Sequence, residues 1–218
     1  MGGALAGLVI LLIGDSHVAM PNYLITSFHE ALEAQGATVN SYGMCGGMAA
    51  DWVLKVTAPC RAERHGTGGP VYVTKSEPTW LINDLIDQTH PNLVLVVLGD
   101  TMAGYDKPDL PKPWIYEQVH QLTGRIAAHN VACIWIGPIW GNPASAFHKT
   151  DARVTEMSQF LAQSVAPCGF IDSTRFARPG EWPTTDGQHL TTDGYRKWSA
   201  ALVASIIQMK GQLHLSAK

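Results

Sequence analysis

The sequence predicts an α/β domain in which helices are layered on a central, mainly parallel sheet of five strands, and two observations lead to that expectation. Short runs of consecutive aliphatic residues, such as Leu8-Val9-Ile10-Leu11-Leu12-Ile13 and Leu93-Val94-Leu95-Val96-Val97-Leu98, lack the polar alternation of a half-exposed strand. Strands that are apolar on both faces belong to parallel sheets covered on either side. Between these runs lie stretches with apolar residues at three- and four-residue spacing, the period of a helix with one buried face. Alternation of the two patterns implies strand–helix–strand crossovers.

Taken in order, the first strand covers residues 8–13 and ends in Gly14, with helical spacing from Val18 to Gln35. Further strands are read at 37–42, 93–98, 131–137 and 169–172. Helical faces are offered by Trp80, Leu81, Ile82, Leu85 and Ile86, then by Trp114, Ile115, Val119, Leu122 and Ile126. Val154, Met157, Phe160 and Leu161 form another, and Trp198, Leu202 and Ile206 lie on a final helix over 192–209. Residues 70–74 are expected to add a small strand or hairpin outside the main sheet, and 210–218 to form a loose tail. No repeat or low-complexity linker divides the chain, so residues 1–218 are expected to form one domain.

Composition excludes several function classes. A formal net charge of -3 without a basic run offers no nucleic-acid surface. The apolar stretch from Ala4 to Ile13 is too short to span a bilayer and lacks the basic start and cleavage site of a signal peptide. No pair of histidines stands with a carboxylate at metal-ligand spacing, so neither metal nor cofactor is expected. A monomer acting on a small molecule or saccharide is the expected state.

Four cysteines allow three pairings. Cys45 and Cys60 flank a local segment, with a Gly- and Pro-containing excursion after Cys60, while Cys133 and Cys168 lie on or just before the last two strands. Pairing 45 with 60 and 133 with 168 is therefore expected, which implies a periplasmic or secreted protein. The alternative is four free buried cysteines in a cytoplasmic one.

Chemistry enters at the strand ends. Gly14-Asp15-Ser16-His17 directly follows the first strand, and Asp186-Gly187-Gln188-His189-Leu190 lies beyond the fifth. A serine at a strand-to-helix turn is near free N–H groups that favour the negative charge of a tetrahedral intermediate. Serine alone is a poor nucleophile, and Asp186 and His189 supply an orienting carboxylate and a base. The second, third and fourth strands run into Cys45-Gly46-Gly47, Gly99-Asp100-Thr101 and Pro138-Ile139-Trp140-Gly141-Asn142. In an open parallel sheet these segments converge outside the carboxyl ends of the strands.

With these blocks the chain resembles the SGNH/GDSL hydrolase superfamily from Gly14 to Tyr195. The resemblance implies a three-layer flavodoxin-like sandwich and a Ser16, Asp186 and His189 triad. It also implies an oxyanion hole built from the N–H groups of Ser16 and Gly46. The third block departs from the pattern: Thr101 occupies the position of an asparagine that supplies another oxyanion donor. Either Thr101 serves in its place, or Asn142 reaches in, or the protein is a slow member. Trp140, Asn142 and Trp182 are candidates for substrate binding, and His17 for a local or pocket-lining role. The implied reaction is removal of short acyl groups, acetyl above all, from carbohydrate. O-acetyl transfer on an envelope polysaccharide with the same triad is one alternative, and a catalytically poor carbohydrate-binding module is another.

Overall fold

The computed structural model describes residues 3–211. Of the expected tail, residues 212–218 lie outside the described residues. Lys210, which is inside, caps the last helix and donates from Nζ to the Ala4 carbonyl at 2.8 Å.

Strand β1 (Val9–Gly14) is flanked by parallel partners on both sides, β2 (Thr38–Met44) and β7 (Leu93–Val97). Beyond β7 follow β8 (Ala132–Ile136) and β9 (Gly169–Ile171), both parallel. These are the five strands expected from sequence, in the 2-1-3-4-5 order of doubly wound sheets. The sheet nevertheless holds seven strands rather than five. After β2 the chain returns antiparallel as β4 (Arg61–His65) and again as β5 (Val71–Val73), and so extends the β2 edge. Residues 70–74 thus join the main sheet instead of standing outside it. The cause is local: Cys45 N–H donates to the Cys60 carbonyl at 2.9 Å and a disulfide joins the two residues, aligning the returning chain with β2. A separate two-stranded pair, β3 (Thr57–Ala58) with β6 (Glu77–Pro78), closes the excursion.

Side chains alternate across the pleat and feed two cores. Leu11, Ile13, Val94, Val96 and Trp135 face α3 (Ile82–Thr89), α4 (Lys112–Ala128) and α5 (Asp151–Ser164). Ile10, Leu12, Leu93, Leu95 and Ile136 face α2 (Leu24–Glu33) and α6 (Thr192–Met209). Buried strand side chains on both faces, at about 1.5–3 kcal/mol each, account for the unbroken aliphatic runs.

One helix predicted over 18–35 is two. A four-residue α1 (Ser16–Ala19) ends before Pro21 and Asn22, whose φ of 67° is left-handed, and α2 starts at Leu24. Proline has no N–H for the helical ladder and disfavours helical geometry in the residue before it. The break leaves Tyr23 at the N-cap of α2.

Candidate active site

Every parallel strand delivers its carboxyl end to one side of the sheet. Gly14, the last residue of β1, fits so closely that a Cβ there would stand 2.8 Å from the Val97 carbonyl. The same Cβ would meet Val18 of α1, so Gly14 lets the helix start close over the strand ends. Asp15 caps α1, its Oδ1 accepting from His17 N–H at 2.9 Å, and Ser16 is the first helical residue. The N–H of such a residue has no intrahelical partner.

Ser16 Oγ lies 2.8 Å from His189 Nε2, and His189 Nδ1 lies 2.6 Å from Asp186 Oδ2. The chain brings these together across a separation of 173 residues. Asp186 Oδ1 also accepts from the backbone N–H groups of Gln188 and His189, at 2.9 and 2.8 Å. Burial alone would raise the Asp186 pKa, but the hydrogen bonds from His189 and these N–H groups outweigh it and hold the carboxyl below its ordinary value. An ionised Asp186 only accepts, so the proton between them sits on Nδ1 and leaves Nε2 free to accept from Ser16.

The loop carrying the pair is clasped from the side. Asn142 N–H donates to the Gly187 carbonyl at 2.7 Å, and Gly187 has a φ of 92° with Ser145 so close that no side chain fits. Two rings flank the imidazole: Tyr23 stacks at 5.4 Å between centroids, and Phe147 meets it edge-on at 6.1 Å. Phe147 remains 41% exposed at the mouth. Neither ring carried a sequence signal, since each depends on a loop bringing it to His189 from elsewhere in the chain.

Gly46 follows β2 with a φ of 71° and open space where a side chain would stand. Thr101 does not present a free donor beside it. Its hydroxyl donates to the Gly47 carbonyl at 2.7 Å, so its one proton braces the Gly46-Gly47 turn instead of facing an oxyanion. The expectation that Thr101 replaces the asparagine as an oxyanion donor is corrected on that ground. Asn142 Oδ1 accepts from Ala144 N–H at 3.0 Å and shapes its own turn. Trp140 is likewise tied, its indole N–H donating to the Thr174 and Ala177 carbonyls at 3.0 and 2.7 Å. Trp182 and Asn142 do line an open groove of about 490 Å³ together with Asp151, Pro143, Gly180 and Thr184.

Below Ser16 lies a polar cluster that the sequence reading did not assemble. Asp100 Oδ2 is 2.6 Å from His17 Nε2 and 2.5 Å from Lys149 Nζ, while its Oδ1 accepts from Tyr105 Oη at 2.5 Å. His17 Nδ1 lies 2.7 Å from Tyr195 Oη. Burial pushes His17 down to about 4 despite the Asp100 contact, so the ring is neutral, with Nε2–H donating and Nδ1 accepting. Burial opposes ionisation of Asp100 too, but the Lys149 ammonium and the His17 hydrogen bond prevail and keep it well below the carboxylate range. Asp15, buried beside the Asp100 charge, is raised to about 8.

Both expected disulfides are present, Cys45–Cys60 and Cys133–Cys168. Among the described residues no group of three or more His, Cys, Asp or Glu side chains could hold a metal ion, and no helix is long and apolar enough to cross a membrane.

A doubly wound sheet with a serine, histidine and aspartate at its carboxyl edge is the arrangement of the SGNH/GDSL fold, and solved structures share that fold. A GDSL-like lipase from Bacteroides thetaiotaomicron covers 94% of this chain and 89% of its own at 11% identity with a TM-score of 0.58. A carbohydrate esterase of family 3 from Talaromyces cellulolyticus covers 94% and 99% at 16% identity with a TM-score of 0.61. No family model matches the sequence. Protein BcsX of Komagataeibacter xylinus is 43% identical over 212 residues, 95% of this chain and 79% of that protein. The chain belongs to the family of protein BcsX, and its fold is the one those hydrolase structures share.

Proposed function

We propose that the protein is a serine esterase that removes acetyl groups from carbohydrate through an acyl-enzyme on Ser16. The single observation behind this reading is the unbroken hydrogen-bonded line from Ser16 Oγ to His189 and on to Asp186. In the first half-reaction His189 Nε2 takes the Ser16 proton as Oγ attacks the acetyl carbon. The oxyanion accepts from the N–H groups of Ser16 and Gly46. His189 then gives its proton to the departing sugar oxygen. Water, activated by the same nitrogen, attacks the acyl-enzyme and frees Ser16.

Phe147 beside His189, and Trp182 in the neighbouring groove, supply apolar ring faces suited to a sugar. The exposed Phe147 lies edge-on to His189, the base for the second nucleophile, which favours keeping O-acetyl transfer as a second reading, a sugar hydroxyl replacing water. Two disulfides support residence in an oxidising compartment, periplasmic or secreted.

Fluorophosphonate labelling together with hydrolysis of p-nitrophenyl acetate tests the reading. Ser16→Ala should abolish labelling, and Ser16→Ala and His189→Ala should each reduce kcat by roughly a thousandfold or more, with the double variant no worse than either single one. Wild-type kcat/KM in a folded Ser16→Ala variant would overturn the acyl-enzyme on Ser16, whereas no hydrolysis and no labelling in the wild-type protein would leave only a binding role. Acetylated product appearing when an unmodified oligosaccharide is added, at the expense of free acetate, would select transfer.

A further inference from the structure

Lys149 is a fully buried charge that the proposed reaction does not use. Its side chain has no exposed surface, and its ammonium pairs with Asp100. Removing two charges from water costs several kcal/mol per ion, and a buried pair is often no more stabilising than apolar residues of the same volume. Stability therefore does not explain the pair, whereas its position does.

On one side Asp100 holds His17, the residue after Ser16, and His17 is held in turn by Tyr195 of α6. On the other side the lysine stem fills the space over Gly141. A Cβ at residue 141 would stand 2.4 Å from Lys149 Cδ and 2.6 Å from the Gly187 carbonyl. Gly187 lies between Asp186 and His189 and is gripped by the N–H of Asn142. Lys149 thus touches the nucleophile turn through Asp100 and the base loop through Gly141. His148, with a φ of 50°, turns the chain inward just before it, and Thr150 starts α5 just after. A helix anchored in the sheet layer therefore fixes where the ammonium sits.

We propose that Lys149 is a positioning residue whose ion pair with Asp100 sets the gap between Ser16 and His189. The inference rests on the acyl-enzyme reading above, since it is the distance for proton transfer that is being held. A displacement of about 1 Å at such a site costs up to about a hundredfold in rate without a matching loss of binding.

The test compares Lys149→Met, the charge-free pair Asp100→Asn/Lys149→Met, and Gly141→Ala, which keeps both charges but crowds the lysine stem and the Gly187 carbonyl. Melting temperature, kcat and KM for p-nitrophenyl acetate, and the low-field proton NMR signal of the His189–Asp186 hydrogen bond are measured where circular dichroism finds each variant folded. Lys149→Met should lower kcat roughly 10- to 100-fold with KM within about twofold. The double variant should recover melting temperature, having no unpaired buried charge, yet keep the low kcat. Gly141→Ala should show the same kcat loss.

A double variant whose kcat returns with its stability would reduce the pair to structural support and overturn the proposal. Unchanged kcat in Gly141→Ala would also overturn it, and if the charge variants do not fold, Lys149→Arg decides: a lower kcat at unchanged melting temperature upholds the role and an unchanged kcat refutes it. Absence of Ser16 labelling in the wild-type protein would instead strike the proposed function. The low-field signal then judges Lys149: altered in Lys149→Met, it upholds the positioning role, and unaltered, it refutes it.

Discussion

A hydroxyl carries one proton, and at Thr101 that proton is committed to Gly47, which changes what the residue can do for the reaction. If it braces the Gly46 turn, Thr101→Val should lower kcat roughly two- to tenfold, the range of one neutral hydrogen bond of about 0.5–1.5 kcal/mol, and leave KM nearly unchanged. Thr101→Ser should restore the rate. Steady-state kinetics on an acetyl ester checks both, and a loss of a hundredfold or more in Thr101→Val would instead indicate direct donation to the oxyanion. The residues legible in the sequence, Ser16, Asp186 and His189, were those whose roles are written in short local patterns next to strand ends. Tyr23, Phe147 and Lys149 were not, because each acquires its neighbour only through folding: a proline break, an exposed loop and an inward turn at His148.

Among the elements, β1 and β7 were the most readable strands because both their faces are buried, which favours apolar residues at every position. The antiparallel ribbon β4–β5 was not readable, since Arg61-Ala62-Glu63-Arg64-His65 carries four polar residues in five. What makes a strand of it is pairing with β2, held in line by the Cys45–Cys60 bond. That bond also adjoins Gly46, so it couples the ribbon to the proposed oxyanion turn. Replacing both cysteines by serine removes a crosslink spanning 15 residues, worth about 3 kcal/mol by its effect on the unfolded chain. Chemical denaturation should show that loss. Kinetics at a temperature where the variant is folded should show a lower kcat as well, and an unchanged kcat would separate the ribbon from the site. The Cys133–Cys168 bond runs between β8 and the turn before β9, far from Gly46 along the sheet order. Its removal should lower stability and leave kcat as it was.

At the scale of the whole molecule, the buried ionisable groups tie stability to pH, and their signs differ. His17 and His29 are both lowered from 6.5 to about 4, burial being the chief cause, so they remain neutral in the fold while the unfolded chain protonates them. What they contribute is present above pH 6.5 and is lost as the pH falls toward 4. Asp15 is raised from 3.8 to about 8 by burial and by Asp100, so the fold keeps a proton that the unfolded chain releases. Its contribution is complete below 3.8 and disappears as the pH rises through 8. Between pH 5 and 6 the two histidines therefore make the unfolded state bind about two extra protons and Asp15 offsets one, leaving roughly one, or about 1.4 kcal/mol per pH unit. Acidification over that range should destabilise the protein with about this slope. His29 is fully buried between Ser41 and the Gly66 carbonyl, on the α2 side of the sheet. His29→Gln should flatten the slope to near zero, whereas Asp15→Asn, which retains a capping side chain, should roughly double it. Urea denaturation at a series of pH values measures all three, and parallel curves for wild type and His29→Gln would mean that His29 is charged in the fold.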